Sequence, residues 1–390
     1  MKNSFRGYIE DRTMGDASNM APELAKYLFE NGGTIIITDV PKGTDFGIDL
    51  KSWNTGENFK GMKMIPPGLH FIHYRAVNEL GELSPRVGFF HIVKEKEILV
   101  KKWSKLAEDL DDQEINEEIV MRFKENLKDL DKFLGPYPYD MWKPWKDLTS
   151  KIDDNLIERC RPLCGYVRSA LELVHCDDAS RPRGSQTRKR RHHVMTLEEK
   201  EDLLLPDLKP LPGTELRLTQ LPDKYYPDDA TPTEITQYSL DSSYALNILL
   251  KKVKDPVEII GELQLSFVCF LVGQSWDAFE HWKKLISLIC RADRIIPERR
   301  VVYVEFLRTL EIQLAHVCED FLCDIVSSNN FVYHHLRILF SNIESNSEVD
   351  GRLKSEAARA RNRLTSKLSW DFENLQDEED DEAPVVVAIE

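Results

Sequence analysis

The period of the hydrophobic pattern changes along this 390-residue chain, and that change limits the fold more than any other feature. Up to about Trp103 the apolar residues come in short runs punctuated by Gly and Pro. Thr34-Ile35-Ile36-Ile37-Thr38-Asp39-Val40 halts at Pro41. Leu69–Tyr74, Val87–Val93 and Ile98–Trp103 follow, bounded by Pro66-Pro67-Gly68 and Pro85. Short strands with turn signals between them predict a sandwich or barrel. Ahead of them, Pro22 opens a helix that Gly32-Gly33 ends. From residue 233 onward the spacing is helical. Asp241-Ser242-Ser243 is a good N-cap before Tyr244–Val253. Stretches 256–272, 276–292, 297–326 and 331–344 keep the helical spacing, with connections short enough for four or five antiparallel helices. A last helix over 351–369 is basic and weakly apolar, and reads as peripheral.

The text between these halves is mixed. Over residues 105–133 and just beyond, Leu106, Leu110, Ile119, Phe123, Leu127, Leu130 and Leu134 recur at near-helical intervals, predicting one or two amphipathic helices. The segment Leu134-Gly-Pro-Tyr-Pro-Tyr-Asp-Met-Trp142 is irregular, and its aromatics are expected to pack on the β domain. Residues 177–213 hold Arg188-Lys189-Arg190-Arg191-His192-His193 and prolines at 206, 210 and 212. This composition buries little and reads as a linker. The expected class is therefore α+β multidomain. A β-sandwich-like domain spans 1–150, a helical and loop linker with the basic run 151–213, and an all-helical domain 214–369. An extended tail fills 370–390.

That tail is an acidic run, Asp377–Glu382, followed by Ala383-Pro-Val-Val-Val-Ala-Ile-Glu390. Acidic runs are ordinarily solvated. A β-branched string directly after one is an edge with nothing to pair, suited to adding a strand to another protein's sheet. Extended, it places Val385, Val387 and Ile389 on one face and Val386 and Ala388 on the other. The alternative is that it folds back on its own β domain.

Composition narrows the function. With 52 basic and 67 acidic residues the formal charge is -15, against a dedicated binder of phosphate backbones. There is no apolar run of about 18 residues to span a membrane, and no apolar leader follows the N-terminus. Seven scattered cysteines read as free thiols of an intracellular protein. Phosphate-loop, dinucleotide, nucleophile-elbow and zinc-protease motifs are all missing. Three histidines in the β-rich part, His70, His73 and His91, raise a metal-dependent enzyme as an alternative. However, residues 70 and 73 are three apart and face opposite sides of a strand. The basic run Arg188–Arg191 raises RNA binding as another. In the helical half, Phe267, Phe270, Trp276, Phe279 and Trp282 form the densest aromatic group. Most of it should be core, with one or two side chains left for docking.

Longer strings carry a resemblance. Phe29-Glu-Asn-Gly-Gly-Thr-Ile-Ile-Ile, Val40-Pro-Lys-Gly-Thr-Asp-Phe-Gly-Ile-Asp49 and Phe59–Tyr74 are similar to the Aar-two splicing-factor family. So are Pro85-Arg-Val-Gly-Phe-Phe90, Leu134–Asp140, Gly261–Gln274, Ala278-Phe-Glu-His-Trp-Lys283 and the tail Ala383–Val387. The likeness runs from about residue 20 to 390. It implies a non-catalytic assembly chaperone of the U-five small nuclear ribonucleoprotein, with no cofactor and no direct nucleic acid required. The implied partner is the Prp-eight scaffold, held through its RNase-H-like and Jab/MPN-type domains before the Brr-two helicase joins. The resemblance assigns the bridging strand to Val385–Ile389. A strand tail used on a partner favours a monomer outside the complex, and the expected location is cytoplasm and nucleus. The Arg181–His193 loop is not part of the family pattern.

Overall fold

A computed structural model describes residues 22–78, 80–111, 115–175, 208–222, 224–317 and 330–372. The chain forms two compact units, each drawing on more than one stretch of sequence. One takes residues up to Tyr137, then Cys160–Arg217 and Gly273–Ser275; the other takes Pro138–Arg159, Leu218–Val272 and Trp276 onward. The sequence had placed one boundary at 150 and a linker over 151–213. Two side chains account for the difference. Trp145 is fully buried on a helix of the second unit, while Val167 is buried on a strand of the first.

The first unit opens with α1 (Pro22–Asn31), running directly into β1 (Gly33–Thr38). Then come β2 (Asp45–Ile48), β3 (Lys51–Asn54), β4 (Gly61–Ile65), β5 (Gly68–Arg75), β6 (Val87–Val93), β7 (Ile98–Ser104) and β8 (Asp109–Leu110). Short strands β9 (Leu134–Pro136), β10 (Val167–Arg168), β11 (Leu173–His175) and β12 (Leu208–Pro210) complete the set. Two five-stranded sheets result, ordered β8-β7-β1-β4-β9 and β10-β6-β5-β2-β3, with β11 and β12 as a separate hairpin. The second sheet is antiparallel throughout, whereas β1 runs parallel to β7 and β4 parallel to β9. Ile35, Ile36 and Ile37 are all buried, because β1 is covered on both faces. Tyr74 on one sheet meets Trp103 on the other edge-on, ring centroids 5.5 Å apart, so aromatic packing links the layers.

Residues 105–111 are not helical. Glu108 takes a left-handed φ of 51° in the turn into β8, and Leu106 is 98% exposed. The amphipathic helices start later, as α2 (Glu117–Glu125), capped by Asn116, and α3 (Leu127–Leu130). Val120, Phe123, Leu127 and Leu130 pack over Ile36, Val100 and Leu134.

The second unit is helical: α4 (Trp142–Thr149), α5 (Asp154–Cys160), α6 (Pro232–Leu240), α7 (Ser243–Lys252), α8 (Glu258–Leu271), α9 (Trp276–Cys290), α10 (Arg300–Leu314), α11 (Phe331–Ser345) and α12 (Gly351–Leu368). Every residue from Ile259 to Phe270 is buried, so α8 is the central helix, apolar all round as such a position requires. Helices α4, α9 and α10 pack on it. Asp241 serves the start of α7, its Oδ1 accepting from the Ser243 backbone N–H, while the Ser242 hydroxyl donates to the Leu288 carbonyl. Contrary to the peripheral reading, α12 packs on α10 and α11. It buries Leu353, Ala357, Ala360 and Leu364, a helical stripe whose small alanines allow close approach despite low overall hydrophobicity. No helix among the described residues is long and apolar enough to cross a membrane.

Candidate functional site

The strand-forming residues Val385, Val386, Val387, Ala388 and Ile389 lie outside the described residues, as do the acidic run and the basic loop. The described residues supply three buried polar clusters and one exposed aromatic patch.

The first cluster is built on Asp49, wholly buried in the tight turn between β2 and β3. Its φ is 55°, a left-handed value that aspartate tolerates better than most residues. Oδ1 accepts from the Phe71 backbone N–H at 2.9 Å. Oδ2 accepts from the Tyr137 hydroxyl and lies against His70 Nδ1, each at 2.7 Å. His70 Nε2 faces the Pro66 carbonyl, also at 2.7 Å. Both ring nitrogens of His70 are therefore engaged, and the carboxylate is ringed by donors as a buried charge demands.

The second cluster sits on the opposite face of β5. Asp45 accepts from Arg75 (2.7 Å from Nε) and from buried Arg86 (3.3 Å). Burial pushes the Asp45 carboxyl up, but the two guanidinium groups outweigh it and hold it below its ordinary value. Burial and neighbouring Arg75 lower Arg86 to about 10, which leaves it charged at neutral pH. Burial, with Arg86 beside it, drives His73 down to about 3, so its ring is neutral. His73 Nε2 lies 3.3 Å from the Asp49 carbonyl, and its Nδ1 has no hydrogen-bond partner among the described residues. Gly47 makes room for this ring, since a Cβ there would overlap it and stand 2.6 Å from the Lys51 carbonyl.

The three histidines therefore do not converge. His73 faces away from His70, and His91, in register with His70, pairs instead with Glu97 at 2.9 Å. Among the described residues no three His, Cys, Asp or Glu side chains are placed to hold a metal ion.

The third cluster lies in the helical unit around Glu262, which is 2% exposed. Oε1 accepts from the Thr219 N–H at 2.6 Å and lies 2.9 Å from His281 Nε2. Oε2 accepts from the Thr219 hydroxyl at 2.6 Å and from Arg159 at 3.0 Å. Burial favours the neutral acid, but the bonds from His281 and Thr219 win and hold the carboxyl down to about 2. Gly261, one residue before, has no room for a side chain: a Cβ would run into the Lys151 carbonyl and lie 2.9 Å from Leu156.

Of the aromatic group, Phe267, Phe270, Phe279 and Trp282 are buried and Trp276 is 57% exposed. Lys283 Nζ lies 5.9 Å from the Trp276 ring, 5.0 Å from Phe279 and 5.9 Å from Phe331. Trp276 is thus the side chain that sequence left unassigned between core and docking. Cys160, Cys269 and Cys290 are buried, and Cys164 is exposed.

Most residues of the three clusters come from the strings that carried the resemblance: Asp45, Gly47 and Asp49 from one, His70 and His73 from the next, then Arg86, Tyr137, Glu262 and His281; Arg75, Arg159 and Thr219 lie outside them. Comparison with known proteins points the same way. The family model for the AAR2 N-terminal domain matches residues 31–162, and that for the AAR2 C-terminal repeat region matches 218–373. A human protein called Protein AAR2 homolog is 40% identical over 383 residues, covering 96% of this chain and 98% of its own. The Caenorhabditis elegans protein of that name is 34% identical over 370 residues, covering 92% and 99%. The Saccharomyces cerevisiae A1 cistron-splicing factor AAR2 is 25% identical over 273 residues, covering 66% and 70%.

Proposed function

The chain belongs to the AAR2 family, and from that premise we propose that it is a splicing factor acting by binding rather than by catalysis. The reading is supported by the name of the yeast relative, a cistron-splicing factor. The more specific role is assembly chaperone of the U-five small nuclear ribonucleoprotein. In that role the protein holds the RNase-H-like and Jab/MPN-type domains of the Prp-eight scaffold and keeps the Brr-two helicase and RNA away until maturation. It works as a monomer, in cytoplasm and nucleus, without a cofactor.

The observation that carries the binding mode is the tail sequence, six acids followed by Ala383-Pro-Val-Val-Val-Ala-Ile-Glu390. Strand addition takes affinity from main-chain hydrogen bonds and specificity from alternate side chains. Ordering such a tail costs about 2–5 kcal/mol of the gross interaction, which keeps binding reversible, as a departing factor needs. The experiment is a calorimetric titration of the full chain against the two scaffold domains, with and without residues 384–390. Binding should weaken at least tenfold on truncation, with the far-ultraviolet circular dichroism spectrum unchanged. Full-strength binding by the truncated chain would remove the tail from the interface. Absence of binding in both forms would end the chaperone reading.

A further inference from the structure

Helices α10 and α12 lie side by side and parallel. Arg300 at the start of α10 pairs with Asp350 at the cap of α12 (2.8 Å), and Glu311 further along pairs with Arg363 through both carboxylate oxygens (2.7 and 2.8 Å). Between their N-terminal halves is a cleft of about 650 Å³. Arg300 and Arg308 line it from one side and Arg352 and Arg359 from the other, with Asp350 and Glu356 the acids lining it among the described residues. Four guanidinium groups thus face two carboxylates, on a chain whose net charge is -15. Arg352 has no carboxylate within salt-bridge distance among the described residues. Arg308 and Arg359 are 57% and 61% exposed, each paired among the described residues to an acid three residues away on its own helix. Such pairs are weak and exchange readily for a better anion.

Beyond α12 the chain doubles back. Ser369 takes a left-handed φ of 56° at the helix end. Trp370 and Phe372 then pack on Tyr333 of α11, and Phe372 also meets Phe340, with ring centroids 5.1 Å apart. Arg337 donates to the Asp371 carbonyl at 3.1 Å. The exit of the chain is therefore fixed beside the C-terminal end of α12. At 1.5 Å per residue, Arg359 lies about 14 Å back along α12 from Leu368, and Arg352 about 24 Å. The acidic run begins five residues after Phe372 and ends ten after it. Extended chain covers about 17 to 33 Å over that interval, enough to lay the run along this row of arginines.

We propose that the arginine cleft between α10 and α12 is the docking site of the chain's own acidic run, Asp377–Glu382. Charge complementarity selects the occupant, and the length of chain past Phe372 delivers it. A tether this short holds the run at an effective concentration on the order of millimolar, so modest intrinsic affinity keeps the cleft filled. Docking there restrains the valine-rich end that follows, and a partner able to draw that end away vacates the cleft.

The test uses the full chain and a fluorescein-labelled hexaglutamate peptide, read by fluorescence anisotropy at low salt. One variant neutralises the run (D377N, E378Q, E379Q, D380N, D381N, E382Q). A second adds Arg352→Gln and Arg359→Gln. The neutralised chain should bind the peptide at least tenfold more tightly than the wild type, whose cleft is already filled. The added arginine changes should abolish that gain while the thermal transition stays in place. Equal affinity in wild type and neutralised chain overturns the proposal. So does a gain that survives loss of the arginines, or no binding by any form.

Discussion

Replacing Glu262 by glutamine should destabilise the helical unit by an amount that depends on pH. The carboxyl is held at about 2, against 4.5 for an unperturbed glutamate. Because the folded value is the lower one, ionised Glu262 stabilises the fold above pH 4.5, and that contribution is lost as pH falls toward 2. At about 1.4 kcal/mol per unit, the shift corresponds to about 3 kcal/mol at pH 7, and about half of that remains at pH 3. Glutamine keeps the shape but offers an amide N–H₂ where Thr219, His281 or Arg159 now meets a carboxylate oxygen, so one donor faces another. Differential scanning calorimetry suits the measurement, since a chain of two units need not unfold in a single step. At 2–4 °C per kcal/mol, the helical transition of Glu262→Gln should lie roughly 6–12 °C below that of the wild type at pH 7. The gap should close progressively between pH 4.5 and pH 2. A gap of constant size from pH 7 to pH 2.5 would mean that the lost term is packing, and would refute the electrostatic account.

Four further outcomes are expected. Gly47→Ala should cost about 1–3 kcal/mol, the usual range for overpacking, because the added methyl enters the His73 ring; a shift below 0.5 kcal/mol in urea unfolding would show that the ring has somewhere to go. Tyr137→Phe removes one donor from the buried Asp49 carboxylate and should cost about 1–3 kcal/mol, measured the same way. Trp282→Ala should lose about 3–5 kcal/mol of stability. Trp276→Ala should change stability by no more than about 0.5 kcal/mol yet weaken binding to the scaffold domains, and undiminished affinity in the titration would return Trp276 to the plain surface.

Sequence reading located β1, β5, β6 and β7 to within a residue or two, because each is a dense apolar run with a Gly or Pro boundary. It also placed α8, α9 and α11, whose apolar residues keep the helical period. It missed β2, β3 and β4, where Asp45, Lys51 and Lys63 break the run and pairing with neighbouring strands rather than a dense apolar run makes the element. It made 105–111 helical because Leu106 and Leu110 fit the period, although Leu106 faces solvent and Leu110 closes a hairpin. The argument that His70 and His73 face opposite ways held, since strand geometry is local. Their partners were out of reach, because Tyr137 meets Asp49 across 88 residues and Thr219 meets Glu262 across 43. The longer family-like strings signalled Asp49, Tyr137 and Glu262 but not Thr219, and they did so without revealing which residues touch.

The interleaving of the two units has a consequence for biosynthesis. Helices α4 and α5 leave the ribosome before β10, which pairs with β6, so the first unit is still incomplete when part of the second has already emerged. Trp145, fully buried in the finished protein, sits on α4, whose packing partners α8 and α10 do not begin until Glu258 and Arg300. Translation at about 5–20 residues per second leaves that indole waiting for some seconds, up to about half a minute. During that interval the nascent chain carries an apolar surface with no native cover. Cutting the gene at residue 150 would make the vacancy permanent, because α4 would stay with the β unit and the helices it packs against would go with the other fragment.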